Sequence, residues 1–197
     1  MERSKQVAKE MKAMSTVPKL TLEEYDAMIA RGEFEPAEDH HVELIYGELR
    51  QMSPAGPEHE DIVDILNEWS FSNTPRGKVR VRMQNSVGVP ELDSAPEPDI
   101  AWVRQKSYRS GRPLPKDVLL VIEVSYSSID YDLGEKLDLY ARAGVPEYWI
   151  VDVANQTVEV FRSPSKKGYR DTKTYAAGQT ISPQAFPTAK LEVATLS

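Results

Sequence analysis

Two stretches decide the fold of this chain: PEPDIAWV, residues 96–103, and VLLVIEVSYSS, residues 118–128. Each holds an apolar run of strand length, rich in β-branched residues. The second run is apolar on both faces, which suits a strand at the centre of a sheet. In its interior stands one acid, Glu123. Alternate residues of a strand share a face, so Leu119, Val121, Glu123 and Ser125 point one way and Leu120, Ile122 and Val124 the other. A buried carboxylate is costly unless it is neutralised, paired or bound to a cation. The first run begins directly after a second acid, Asp99. If the two strands pair, their carboxylates come within reach of one ion.

Around that pair the chain reads as one domain over 18–197, preceded by a polar arm over 1–17 that ends at Pro18. Hydrophobic residues make up 40% of the 197 positions, enough for a real core. There is no Cys, which excludes disulfides, thiolate zinc sites and cysteine nucleophiles. Three His (His40, His41, His59) leave little for a His-rich metal centre, whereas Asp and Glu are plentiful enough for a hard, oxygen-liganded ion. No apolar run reaches membrane-span length and the N-terminus lacks a signal-peptide core, so the expectation is a cytoplasmic protein with no membrane partner. A net charge of −7 argues against indiscriminate polyanion binding. Between Arg76 and Lys116, however, nine basic residues stand against four acids. That excess forms either one basic face or a set of solvated strand edges.

The remaining segments follow from local chemistry. TLEEYDAMIA starts with Thr21 and has Glu24 three residues on, a capping-box pattern that predicts a helix. HVELIYGELRQMS reads as a hairpin turned at Tyr46-Gly47. Pro57 suits a first helical position, and Ile62, Ile65, Leu66 and Trp69 follow at helical spacing. KVRVRM alternates, with Val79 and Val81 opposed to Lys78, Arg80 and Arg82, and SVGV is expected to return beside it. DLGEKLDLYARAG predicts a helix stopped by Gly144, with Asp130 and Asp132 as caps. PEYWIVDV, TVEVFR and GYRDTKTY predict a closing meander, and KLEVATL a last strand. Trp102, Tyr148 and Trp149 read as core. The class is α/β (α+β): one central mixed sheet flanked by helices.

Two close carboxylates repel, and a divalent cation relieves that repulsion. Mg²⁺ takes one or two carboxylates plus waters and phosphate oxygens, and the Val124 carbonyl adds a further ligand. Mn²⁺ is the alternative ion. A cationic side chain is then needed beside the attacking water. Ser125 stands two residues beyond the acid, so Lys136, at the border of the apolar face of the following helix, is the candidate.

PEPDIAWV, VIEVSYSSIDYDLGEKLDLYARAGVPEYWIVD and VELIYGELRQMSPAGPEHE together resemble the Uma-type restriction-endonuclease-like family of the PD-(D/E)XK nuclease superfamily. The resemblance runs from about Leu20 to Val160. It implies a restriction-endonuclease-like core and a Mg²⁺-dependent phosphodiesterase site. By that pattern Asp99 and Glu123 are the metal carboxylates, Lys136 is the lysine moved onto the helix, and Glu43 is an additional upstream acid. Ser125 in place of lysine departs from the wider superfamily.

The expected function is therefore hydrolysis of nucleic-acid phosphodiester bonds, with DNA as partner and a homodimer as a plausible assembly. Arg80, Arg82, His59 and Gln84 are the candidate nucleic-acid contacts. The alternative is a catalytically silent module that binds nucleic acid or protein, in which Glu123 and Lys136 form a structural ion pair and no metal binds.

Overall fold

The structure is a computed structural model that describes residues 19–34, 42–52 and 55–196. The expected arm, His40 and His41 lie outside the described residues. The two deciding stretches form neighbouring antiparallel strands, β4 (Ile100–Arg104) and β5 (Val118–Ser125). With β3 (Val79–Met83), β6 (Glu147–Asp152), β7 (Thr157–Ser165) and β8 (Gly168–Ala176) they make a six-stranded sheet in the order β3-β4-β5-β6-β7-β8. Every pair is antiparallel except β5–β6.

A parallel pair requires a crossover. Here it is a short helical turn (Ile129–Tyr131), a π-helical turn (Asp132–Lys136) and a helix (Leu137–Ala143) that ends at Gly144 in the left-handed region. Two further helices precede it: α1 (Leu22–Ala30), closed by the Thr21–Glu24 capping box, and α2 (Pro57–Asn73), with Pro57 in the first turn. The crossover helix Leu137–Ala143 is α3. Between α1 and α2 a hairpin of β1 (Val42–Ile45) and β2 (Glu48–Gln51) turns at Tyr46-Gly47, both at positive φ.

The sheet separates two apolar layers. Ile100, Trp102, Leu120, Ile122 and Val124 pack with Ile62, Leu66 and Trp69 of α2. Ala101, Val103 and Val121 pack with Tyr140 of α3, Tyr148 and Phe161. Trp69 stacks on Trp102 at 5.1 Å between ring centroids, and the Trp102 indole donates to Ser70 Oγ at 2.9 Å. Such a pair is worth about 0.5–1.5 kcal/mol beyond the area it buries. It fixes α2 against β4, and so fixes what α2 presents to the end of that strand.

Three local expectations are corrected. SVGV is not a strand beside β3. Its backbone is committed elsewhere, with Val87 N–H to the Pro96 carbonyl and Gly88 N–H to the Pro113 carbonyl, and a 3₁₀ turn starts at Pro90. Among the described residues the outer side of β3 therefore carries no further strand. The crossover is helical from Ile129, with Ser128 at its N-cap, so Asp132 falls inside it rather than at its cap. KLEVATL yields only β10 (Leu191–Glu192), paired with β9 (Thr180–Ile181), before a 3₁₀ turn (Val193–Leu196) that covers the α2 layer. Among the described residues no helix is long and apolar enough to cross a membrane.

Candidate functional site

The register places the two acids. Ile100 pairs with Ile122, so Asp99, one residue before β4, comes opposite Glu123 on the α3 side of the sheet. Like charges directly opposed are destabilising. Here each carboxylate is held by main chain at the other's position. Asp99 Oδ2 accepts from Val124 N–H at 2.8 Å, and Glu123 Oε2 accepts from Asp99 N–H at 3.3 Å. A strand residue sends its N–H and C=O out on the same side. The Val124 carbonyl thus turns toward Asp99, while the Ser125 carbonyl accepts from Val153 on the β6 side.

Lys136 reaches this pair from the crossover. The π turn carries Leu137 N–H back to the Asp132 carbonyl, five residues away, an extra residue in the turn that directs Lys136 inward. Its Nζ lies 2.9 Å from Glu123 Oε1, 3.6 Å from Glu43 Oε1 and 3.8 Å from Asp132 Oδ1, with 3% of the residue exposed. It is no surface lysine. The Tyr140 hydroxyl donates to the same Glu123 oxygen at 3.0 Å.

One lysine therefore faces three buried acids, Glu43, Glu123 and Asp132, with a fourth, Asp99, opposite Glu123. Burial pushes the Glu123 carboxyl well above the usual carboxylate range, and Lys136 only partly offsets it. Asp132 is raised for the same reason. Burial alone would lower the Lys136 ammonium, but Glu123, Glu43 and Asp132 outweigh it and hold it well above the ordinary lysine value. Lys136 is therefore a fixed cation in a site with too few positive charges.

Glu43 arrives on the hairpin, fully buried. It accepts from the Tyr131 hydroxyl at 2.9 Å and from Glu97 N–H at 3.0 Å. The hairpin is tied to the crossover by Arg50, whose Nε and Nη2 meet both oxygens of Glu135 at 2.9 and 2.8 Å, and by the Tyr46 hydroxyl on Asp138 at 2.6 Å. These ties set the Glu43–Lys136 spacing.

His59, a candidate nucleic-acid contact, lies on Asp99. Its Nε2 is 3.2 Å from Asp99 Oδ2 and its side chain is 16% exposed. The hydrogen bond to Asp99 raises its pKa above the ordinary histidine value, against the effect of burial. Sequence reasoning missed two residues. Asp132 read as a cap but accepts from Ser128 Oγ at 2.7 Å and faces Lys136. Tyr140 read as an apolar helix position. The signal available for Asp132 was its place one turn before Lys136.

Gln84 is exposed and at positive φ, and its N–H donates to the Asp99 carbonyl at 3.1 Å. Arg80 and Arg82 pair with Val103 and Ala101 of β4, which puts them on the same sheet face as the acids. Both flank the Tyr108 ring, at 5.9 and 5.6 Å. Lys106 and Arg112 of the same basic region are paired with Asp117 and Asp26, whereas Arg82 Nε is buried without a hydrogen-bond partner.

The donor set bears on a metal. Among the described residues no three or more His, Cys, Asp or Glu side chains are grouped to hold an ion. What the site offers is sparser and all oxygen: Asp99, Glu123 and the Val124 carbonyl. Asp99 Oδ1 accepts no hydrogen bond among the described residues. Such a set fits Mg²⁺, which keeps most of its waters, and it relieves the charge imbalance.

The family model Uma2, described as "Putative restriction endonuclease", matches residues 22–194. No curated protein matches the chain. Among solved structures, one from Anabaena variabilis ATCC 29413, titled as a "putative nuclease belonging to DUF820", is similar over 90% of this chain and 97% of its own. The TM-score is 0.69 at 18% identity, a likeness of fold.

Proposed function

The chain belongs to the Uma2 family, and from that premise we propose that it is a nuclease hydrolysing phosphodiester bonds of DNA with Mg²⁺, or Mn²⁺, at Asp99 and Glu123. The observation that carries this reading is the interlocked Asp99–Glu123 pair with the Lys136 ammonium 2.9 Å from Glu123. Asp99, Glu123 and the Val124 carbonyl would hold the ion. When bound, it polarises the scissile phosphate and lowers the pKa of a bound water.

The chain's own residues do the rest. Tyr140 and Lys136 fix one oxygen of Glu123, which leaves Oε2 with only the long bond from Asp99 N–H. Lys136 stays protonated, so its part is to donate to the reacting oxygens and offset their developing charge rather than to abstract a proton. Glu43 and Asp132 keep it aimed. Asp99 is the most accessible of the four acids, at 6% exposure, so substrate approaches from its side. Arg82 and Arg80 lie along that face beside the Tyr108 ring, and among the described residues neither pairs with a carboxylate, which suits backbone phosphates.

Cleavage of supercoiled plasmid and of a single-stranded oligonucleotide in Mg²⁺ tests the reading. The wild type should cut. Asp99→Asn, Glu123→Gln and Lys136→Met should each lose at least a hundredfold in rate, with circular dichroism unchanged for the first two. Retained cutting by Asp99→Asn or Glu123→Gln would overturn it.

One observation favours a silent binding module: Glu123 already has three hydrogen-bond donors. In that case the wild type binds DNA with the same affinity in EDTA and in Mg²⁺, and cuts in neither.

A further inference from the structure

A second site lies on the outer edge of β3, away from the acids. A cleft of about 440 Å³ opens between the end of α2 and β3, lined by Phe71, Thr74, Arg76, Arg80 and Gln105, with Val79 and Val81 beneath. Phe71 is 62% exposed, which leaves its ring open to a stacking partner. No acid lines the cleft, and among the described residues neither Arg76 nor Arg80 pairs with a carboxylate. On a chain of net charge −7, this spot combines an exposed ring, two guanidiniums without a carboxylate partner among the described residues, and an amide. A nucleotide matches each: the base stacks on the ring, the phosphate meets the guanidiniums, and the base edge meets the amide.

Position connects this cleft to the acids. The β3–β4 register puts Met83 beside Ile100, and Gln84 beside Asp99. Arg80 is four residues back along the same strand, about 13 Å at strand spacing. Arg82, with its partnerless Nε, stands between them. Arg82 and Arg80 stand on the acid-bearing face and the cleft on the other, and Arg80, which also lines the cleft, links the two round the edge strand β3.

We infer that the Phe71–Arg76–Arg80 cleft seats an unstacked nucleotide of the substrate strand on the flank of the cleaved bond, and that the substrate is single-stranded or locally opened DNA. This deepens the nuclease reading and rests on it. A base inside an intact duplex already has stacking neighbours, so an exposed ring adds little there. A single strand gains a stacking surface.

The test is fluorescence anisotropy in EDTA, where nothing is cut, with one labelled oligonucleotide presented alone and as a duplex. The single strand should bind more tightly. Phe71→Ala should weaken it about tenfold and leave the duplex unchanged. Arg76→Gln should reduce the slope of log affinity against log salt by about 0.7. Equal affinity for both forms overturns the inference, as does single-strand affinity unchanged in both variants. Sedimentation of the same variants covers the other occupant. If Phe71→Ala lowers self-association and not DNA affinity, the cleft is a contact between copies, and the inference fails. Binding through Phe71 without cleavage in Mg²⁺ defeats the nuclease reading alone; cleavage with unaltered binding in both variants defeats only this inference.

Discussion

Asp99 and Glu123 fix one another through the main chain: Asp99 Oδ2 takes the N–H of Val124, and Glu123 Oε2 takes the N–H of Asp99. Neither carboxylate can swing away without giving up a buried hydrogen bond. Two carboxyl groups are thereby held in a fixed gap, with Lys136 on Glu123 and His59 on Asp99.

Lys136 should matter for stability as well as for chemistry. Lys136→Met leaves Glu43, Glu123 and Asp132 facing one another, and removal of one partner from a buried charge network costs about 3–5 kcal/mol. The cost should depend on pH. Glu123 and Asp132 have folded pKa values raised above their unfolded values, so stability is present at low pH and lost as pH rises. Urea unfolding at pH 5 and pH 8 should show the variant nearer the wild type at pH 5.

His59 gives a second pH signature. Its folded pKa is raised by Asp99. Its contribution is fully present below the ordinary histidine value of about 6.5 and is lost as pH rises through the raised folded value. Thermal melts of metal-free protein from pH 5.5 to 8.5 should decline across that window, and His59→Gln should flatten the decline.

Much of this site was legible because a lone acid in an apolar, two-faced strand is conspicuous, and period-two alternation says which face it takes. Asp99, Glu123, Lys136 and Glu43 do meet in one place. The π turn was not legible: helical periodicity carries no mark of one extra residue, so Asp132 read as a cap while it faces Lys136. His59 on Asp99 was not legible for another reason. Its partner is set by how the Trp69–Trp102 stack seats α2 on the sheet, which no local pattern encodes. SVGV looked like a strand because Val87 and Val89 are indeed buried, but their backbone bonds go to Pro96 and Ser94 in a loop.

The hairpin clamp separates stability from activity. The Arg50 and Glu135 side chains are 32% and 42% exposed, so Arg50→Ala should cost no more than about 1 kcal/mol. It frees the hairpin that carries Glu43, however, and Lys136 loses one of the groups that aim it. Cleavage rate should fall at least fivefold while the melting temperature changes little; equal rates in the two proteins would show that the clamp does not serve the site.

Ser70→Ala tests the seating of α2. Ser70 and Trp102 are both fully buried, and the indole N–H would lose its acceptor. An unsatisfied buried donor costs about 1–3 kcal/mol, readable as a lower urea midpoint at unchanged slope.

The claim on which the rest depends is that the gap between an aspartate at one strand's start and a glutamate at its neighbour's end is a cation site. Isothermal titration of the metal-free protein with Mg²⁺, then Mn²⁺, addresses it without any substrate. The expected result is one saturable site in the wild type, lost in Asp99→Asn and in Glu123→Gln. A wild type that binds neither ion, or variants that bind as well as the wild type, would contradict it.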